Sequence, residues 1–167
     1  MGATTGIRPA EAPDVGPVGD CVRAAYAKYV GRIGREPAPM LADYGAMIRA
    51  GEAWVLVEDG GVTGVLAMRP EGDHLFVETV AVRPDRQGGG LGRGLMAFAE
   101  EKARELGLPE IRLYTNEKME ENFAFYGDLG FEETGRRFDE GYRRVFMKKR
   151  LGRLSESGAR VGGGSEA

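Results

Sequence analysis

Three consecutive glycines stand in the stretch VRPDRQGGGLGRGLM, residues 82–96, between a valine-rich run and a run with helical spacing. Each glycine costs conformational entropy on folding, and one would suffice for a turn. Pro84 ends the run before the glycines, and a helix starting near Leu91 aims its free backbone N–H groups and the positive end of its dipole back at the turn. That combination is an anion site. Gly88, Gly89, Gly90 and Gly92 would let a bulky phosphate approach those N–H groups, and Arg86 or Arg93 would add charge. The competing reading is a tight strand-to-helix turn with no ligand.

Two familiar phosphate motifs fail on spacing. The dinucleotide fingerprint G-x-G-x-x-G meets Arg93 when counted from Gly88 and Leu95 when counted from Gly90, and the ATP-type loop lacks its Gly-Lys-Ser/Thr. Elsewhere, Glu78 lies in an otherwise apolar run on the same face as Phe76 and Val80, where burial would raise its carboxyl toward neutrality. A partly exposed edge residue, or one paired with an arginine, is the alternative. Tyr126 continues a stripe with Met119 and Phe123, which by spacing alone is also a packing stripe. His74, the single histidine, sits beside Asp73 and reads as a surface residue.

The elements that must hold these residues follow a legible order. Ile7–Ala10 reads as a short edge strand, and Val15, Val18, Val22, Ala25, Tyr26 and Tyr29 recur at helical spacing up to Gly31. Met40–Ala50 reads as a second, shorter helix. AWVLVEDGGVTGVLAMR is two strands joined at Asp59-Gly60-Gly61, a hairpin signal. HLFVETVAV is the strand before the glycines. Leu91, Leu95, Phe98, Ala99, Ala103 and Leu106 then share one helix face, ended by Gly107 and Pro109. Strand Glu110–Tyr114, helix Glu117–Leu129 and strands Phe131–Phe138 and Tyr142–Arg150 complete the series. This mixture implies an α+β or α/β sheet covered by helices.

Composition narrows the class. The 167 residues are 42% hydrophobic and 29% charged with a net charge of −3, ordinary for a globular domain and a poor match to a polyanion partner. No nucleic acid or anionic lipid partner is expected. Cys21 is the only cysteine, so neither an internal disulfide nor a thiolate zinc site is expected, and no metal is assigned. No apolar run reaches the roughly 20 residues of a membrane span, and no signal-peptide layout opens the chain; a cytoplasmic location is the expectation. Residues 1–5 read as loose, 6–151 as one domain, and 152–167 as a flexible Gly/Ser-rich tail.

Gln87-Gly88-Gly89-Gly90-Leu91-Gly92 resembles the Q/R-x-x-G-x-G/A motif of the GNAT superfamily of N-acetyltransferases, which binds the pyrophosphate of acetyl-CoA. The resemblance runs from about Ile7 to Leu151 and includes IRPAEAPDV, the hairpin, VETVAVRPDRQGGGLGRGLM and NFAFYGDLGFEE. It implies a central mixed, mostly antiparallel sheet of about six to seven strands flanked by about four helices. It also implies an acetyl-CoA-dependent N-acetyltransferase acting on a small-molecule or peptide amine by direct attack. Carried over, Thr79, Val80, Ala81 and Val82 offer main-chain partners to the pantetheine arm, and Gln87, Gly88, Gly89, Gly90, Leu91, Gly92 and Arg93 surround the pyrophosphate. The N–H near Val80 polarises the thioester carbonyl, Glu78 takes the proton of the amine directly or through water, and Tyr126 is the general acid for the thiolate. One departure is visible: many members carry Asn and Ala where this chain has Met119 and Asn122, so Asn122 or Asn116 would have to make the usual Asn contact. The acceptor pocket would come from about residues 26–44 and 138–142. There Glu36, Asp43, Asp139 and Glu140 could attract an amine, and Tyr29, Tyr44, Phe138 and Tyr142 could line it. A non-catalytic acyl-CoA-binding module, and a domain using the turn for another phosphate, stay open. A homodimer is compatible with the sequence.

Overall fold

Alternating β-branched and aliphatic residues build one sheet, and runs with a 3.6-residue apolar period cover its faces. The computed structural model describes residues 5–152. Apart from Thr5 and Gly152, the segments expected to be loose, 1–5 and 152–167, lie outside them. The strands are β1 (Thr5–Pro9), β2 (Ala53–Glu58), β3 (Gly61–Glu71), β4 (His74–Val82), β5 (Glu110–Asn116), β6 (Glu132–Asp139) and β7 (Tyr142–Arg150). The helices are α1 (Val15–Ile33), α2 (Ala38–Leu41), α3 (Tyr44–Arg49), α4 (Leu91–Glu105) and α5 (Glu121–Asp128). Among the described residues the sheet has seven strands in the order β1-β2-β3-β4-β5-β7-β6, and only the β4–β5 pair is parallel. The fold is therefore the mixed, mostly antiparallel α+β arrangement that the sequence implies.

Each face of the sheet has its own apolar layer. On one, Val18, Cys21, Val22 and Ala25 of α1 join Tyr44 of α3 against Val55, Val65 and Ala81. On the other, Leu95, Met96, Ala99 and Ala103 of α4 and Tyr126 of α5 meet Leu66, Leu75, Val77, Ile111, Leu113 and Val145. Burial also pushes the Cys21 thiol up to about 11, which suits a packing residue rather than a nucleophile.

Two helices differ from expectation for local reasons. The helix read over Met40–Ala50 is two short ones, because Asp43 caps the second by accepting the Ala46 N–H at 3.0 Å. The helix read from Glu117 starts at Glu121, because Asn116 Oδ1 accepts the Lys118 N–H at 2.8 Å and holds the intervening residues in a turn. Helix α1 runs past Gly31 and stops at Gly34, whose φ of 89° ends it.

Strand β4 carries the feature that positions the site. Its ladder with β3 slips between Ala67 and Met68, so that Ala67 pairs with Thr79, Met68 pairs with Val77, and Glu78 is left unpaired as a bulge. A bulge bends a strand and increases its twist. Beyond Phe76, β4 has no strand partner on its β5 side among the described residues: only Leu75↔Ile111 and Phe76↔Arg112 are paired. The second half of β4 thus has one free edge. No helix among the described residues is long and apolar enough to cross a membrane.

Leu66, fully buried on β3 in the larger apolar layer, tests the core. Leu66→Ala is expected to lower unfolding free energy by about 2–5 kcal/mol through lost transfer energy and a residual cavity, read as a reduced urea midpoint at unchanged slope.

Candidate active site

The glycine turn begins with a single 3-10 turn at Pro84–Arg86 and ends at Gly90, the N-cap of α4. Gly88 and Gly90 have φ of 86° and 89°, a region closed to most residues with a Cβ. Gly94 is the first residue to donate into the helix, to Gly90 O at 3.0 Å. The N–H groups of Leu91, Gly92 and Arg93 are therefore left without an intrahelical acceptor at the positive end of a four-turn helix. A Cβ at Gly92 would meet the Phe125 ring at 3.2 Å. Gly89 is different: its φ is not positive and a Cβ there would meet only Arg86 O, at 3.8 Å. Three consecutive glycines are thus more than the backbone geometry demands. Gln87 fastens the turn to the strand by donating from Nε2 to Val82 O at 2.9 Å. Of the two arginines expected to add charge, Arg86 gives Nε and Nη2 to Glu58 at 2.7 Å each. Arg93, 3.8 Å from Asp128 and over half exposed, is the less committed cation.

The free edge of β4 has a definite polarity. Arg83 donates to Thr63 O on β3, and hydrogen-bonded and outward pairs alternate along an antiparallel ladder. Thr79 and Ala81 therefore turn their main chain toward β3, while Val80 and Val82 turn theirs away. Two contacts agree: the Tyr26 hydroxyl donates to Val80 O at 2.9 Å, and Gln87 takes Val82 O. With both carbonyls occupied, the N–H groups of Val80 and Val82 are what the edge offers. Thr79 and Ala81, expected to share this task, face the wrong way, and Thr79 Oγ1 instead bonds the Tyr44 hydroxyl at 3.1 Å.

Two cavities meet at this edge. One runs from the turn, with Gln87, Gly88, Gly90, Leu91, Gly92 and Arg93, along Val80–Val82 to α1. The other lies between β4, β5 and the segment around α2, and includes Glu78, Tyr114 and Tyr142. Tyr26, Val80, Asn122 and Tyr126 line both. Tyr126 is buried between Phe125 and Phe131, at ring-centroid distances of 5.0 and 5.6 Å. Burial raises its phenol above the ordinary value, so it is a proton donor at neutral pH. Asn122 donates to Thr115 Oγ1 at 2.9 Å, whereas the Asn116 side-chain oxygen is occupied by the turn before α5.

Glu78 departs from its expected surroundings. Its side chain is 23% exposed and its Oε1 accepts from Arg69 Nη1. An ion pair at a bulge, the alternative that the sequence also left open for this residue, stands in place of an apolar pocket. Several expected acceptor residues are also committed elsewhere. Asp43 caps α3, Tyr44 donates to Pro39 O at 2.7 Å, Tyr29 lines the first cavity, and Phe138 is exposed. Asp139 and Glu140 bind the buried Arg144 at 2.8 and 3.4 Å. Glu36 contributes its carbonyl, which accepts from the Tyr142 hydroxyl at 2.7 Å. Tyr26 and Arg144 were not singled out in the sequence; nothing distinguishes Tyr26 from its apolar helical neighbours until the fold sets its hydroxyl against β4.

The sequence model described as the acetyltransferase (GNAT) family matches residues 21–131. A mycothiol acetyltransferase from Thermobifida fusca (strain YX) is 39% identical over 90 residues, which make up 54% of this chain and 27% of that enzyme. The matched stretch thus spans about a quarter of that relative's length. The PaiA N-acetyltransferase of Thermoplasma acidophilum, solved with coenzyme A, superposes with a TM-score of 0.74 at 17% identity, covering 89% of this chain and 99% of the other. The ribosomal-protein-S18-alanine N-acetyltransferase of Escherichia coli gives 0.72 at 18% identity, covering 95% and 100%. These two structures show a shared fold.

Arg32 near the end of α1 donates to both carboxylate oxygens of Glu121 at 2.6 and 3.2 Å, tying α1 to α5. This pairing, with the backbone N–H of Glu121, holds the carboxyl at about 2. A depressed folded-state value contributes stability above the unfolded value, near 4.3, and loses it as pH falls toward 2. The pair is exposed, so its effect is small. Arg32→Ala is expected to melt slightly below the parent at pH 7, with the difference shrinking below about pH 4 and gone near pH 2; melting curves across this range check it.

Proposed function

The chain belongs to the acetyltransferase (GNAT) family, and on that premise we propose that it transfers an acetyl group from acetyl-CoA to a primary amine by direct attack. The observation that carries this reading is the wall shared by the two cavities. It brings a free main-chain N–H at Val80 and a protonated, buried Tyr126 between an anion-binding turn and a second, smaller cavity.

The residues present fit acetyl-CoA. The unpaired N–H groups of Leu91, Gly92 and Arg93 suit its pyrophosphate, and the Gly88 and Gly90 backbone leaves the approach clear. The N–H groups of Val80 and Val82 suit the amides of its pantetheine arm, held as an added strand along the free edge of β4. When bound, acetyl-CoA supplies an acetyl group activated as a thioester.

The protein's own residues supply the remainder. The Val80 N–H, with its neighbouring carbonyl already taken by Tyr26, is a preorganised donor for an oxygen that gains negative charge. Glu78 faces the smaller cavity from the bulge and accepts the proton of the amine, directly or through a water, while Arg69 orients its carboxylate. Tyr126 donates from its hydroxyl to the departing sulfur. Small-molecule amines and peptide N-termini both present the group this arrangement requires.

Thermal shifts test the donor. Acetyl-CoA and CoA are expected to stabilise the protein with the concentration dependence of single-site binding, ATP and NAD to do so far less, and Gly90→Glu, if folded, to lose the response. A larger shift with ATP than with CoA would overturn the reading. Kinetics test the roles: Tyr126→Phe and Glu78→Gln are each expected to lower kcat by about 10²-fold or more with KM for acetyl-CoA little changed. The Glu78→Gln deficit should shrink at high pH, where the amine is already neutral; a deficit flat with pH would remove Glu78 as the base.

A further inference from the structure

The acceptor cavity is small and has a fastened roof. Its volume is about 60 Å³, the share of about two waters at roughly 30 Å³ each, and so room for only a few non-hydrogen atoms. Pro37, Ala38 and Pro39, in the segment between α1 and α3, form one side of it, and Tyr142 at the start of β7 forms another.

Three contacts hold these two sides together. The Tyr142 hydroxyl donates to Glu36 O at 2.7 Å, Arg35 Nη1 donates to Gly141 O at 3.3 Å, and the Arg35 guanidinium stacks 4.1 Å from the centre of the Tyr142 ring. Pro37, next along the chain, is fully buried. Gly141 fits this arrangement specifically. Its φ is 86°, and a Cβ there would lie 2.8 Å from Arg35 Nη1, closer than a real Cβ comes to a neighbour, so the end of the Arg35 side chain would have to shift. The roof is thus latched to the β6–β7 hairpin by residues far apart in sequence, and the arginine takes the place that a side chain at residue 141 would need.

The remaining exit from the cavity leads past Glu78, Leu113, Tyr114 and Arg144 into an open groove on the sheet face. An acceptor can extend outward there, but what it carries beside its amine must fit under the roof. We infer that the latch of Arg35, Gly141 and Tyr142 sets acceptor specificity, restricting this enzyme to primary amines that are compact and unbranched over their first few atoms. The inference rests on the proposed acetyl transfer and adds to it the class of amine accepted.

The latch makes no contact with the donor cavity, so its loss should change acceptor choice and leave the donor alone. The test uses the full chain with acetyl-CoA and four amines that share a CH2NH2 group: ethanolamine and n-propylamine, which are compact, and benzylamine and 1-naphthylmethylamine, which are not. The parent is expected to favour the compact pair by about tenfold or more in kcat/KM, a discrimination within reach of a pocket's shape. Arg35→Ala, at an exposed position, should reduce that preference severalfold with KM for acetyl-CoA unchanged. Gly141→Ala should do the same by displacing Arg35, which separates the latch from the arginine's charge. Equal turnover of compact and bulky amines by the parent, or an unchanged preference in both variants, would overturn the latch while leaving acetyl transfer standing. Acetylation of none of the amines, alongside binding of CoA, would overturn the proposed function and the inference with it.

Discussion

The site depends on a break in a sheet. Parallel strands β4 and β5 hold only two residue pairs, at Leu75 and Phe76, and then separate. Within a sheet an unpaired strand edge is a liability, since each free N–H seeks a partner. Here the edge is partly satisfied by the protein itself: Tyr26 and Gln87 take the carbonyls of Val80 and Val82. What is left is a short row of donors, which fixes the polarity of whatever pairs with it. The bulge at Glu78 lies two residues past the last β4–β5 pair, so the one carboxylate of β4 stands beside the open edge.

The turn after β4 continues the same logic. A strand that ended in a tightly capped helix would bury its donors; Gly90, in a left-handed conformation and without a capping side chain, leaves them open. Gln87 couples the two halves of the site, because its amide holds Val82 while its backbone leads into the glycines. The electrostatics are local. The chain is acidic overall, and Arg86 is neutralised by Glu58, so attraction to an anion comes from backbone dipoles and Arg93 rather than from a basic surface.

Much of this was legible in the sequence because it depends on short-range chemistry. Glycines before a 3.6-period run, a proline after a valine strand, and Asp59-Gly60 between two alternating runs each specify local backbone, and the turn, α4 and the hairpin lie where those signals put them. The positions that differ are decided by contacts between distant residues. Strand alternation put Glu78 in an apolar run, but its partner is Arg69 on the neighbouring strand across a register slip. Four main-chain partners were expected along β4, but ladder alternation, set by pairing with β3, halves that number. Tyr26 looks like any other aromatic on α1 until α1 packs across β4, 54 residues later in the chain. The acidic and aromatic residues of the acceptor region were named by type, and the fold spends most of them on caps and ion pairs.

The buried tyrosines differ in the partners that their hydroxyls find. Tyr26, Tyr44 and Tyr126 are all shifted upward by burial, so all three keep their protons at neutral pH and differ only in where those protons go. Tyr26 gives its proton to Val80 O and Tyr44 gives its own to Pro39 O; both hydroxyls are satisfied, and each ties a helical segment to its neighbour. Tyr126 has no protein acceptor among the described residues. A packing role alone would be met by phenylalanine, as at the neighbouring Phe125 and Phe131. Tyr126 is part of the wall that the two cavities share. That position is what supports the proposed general-acid role.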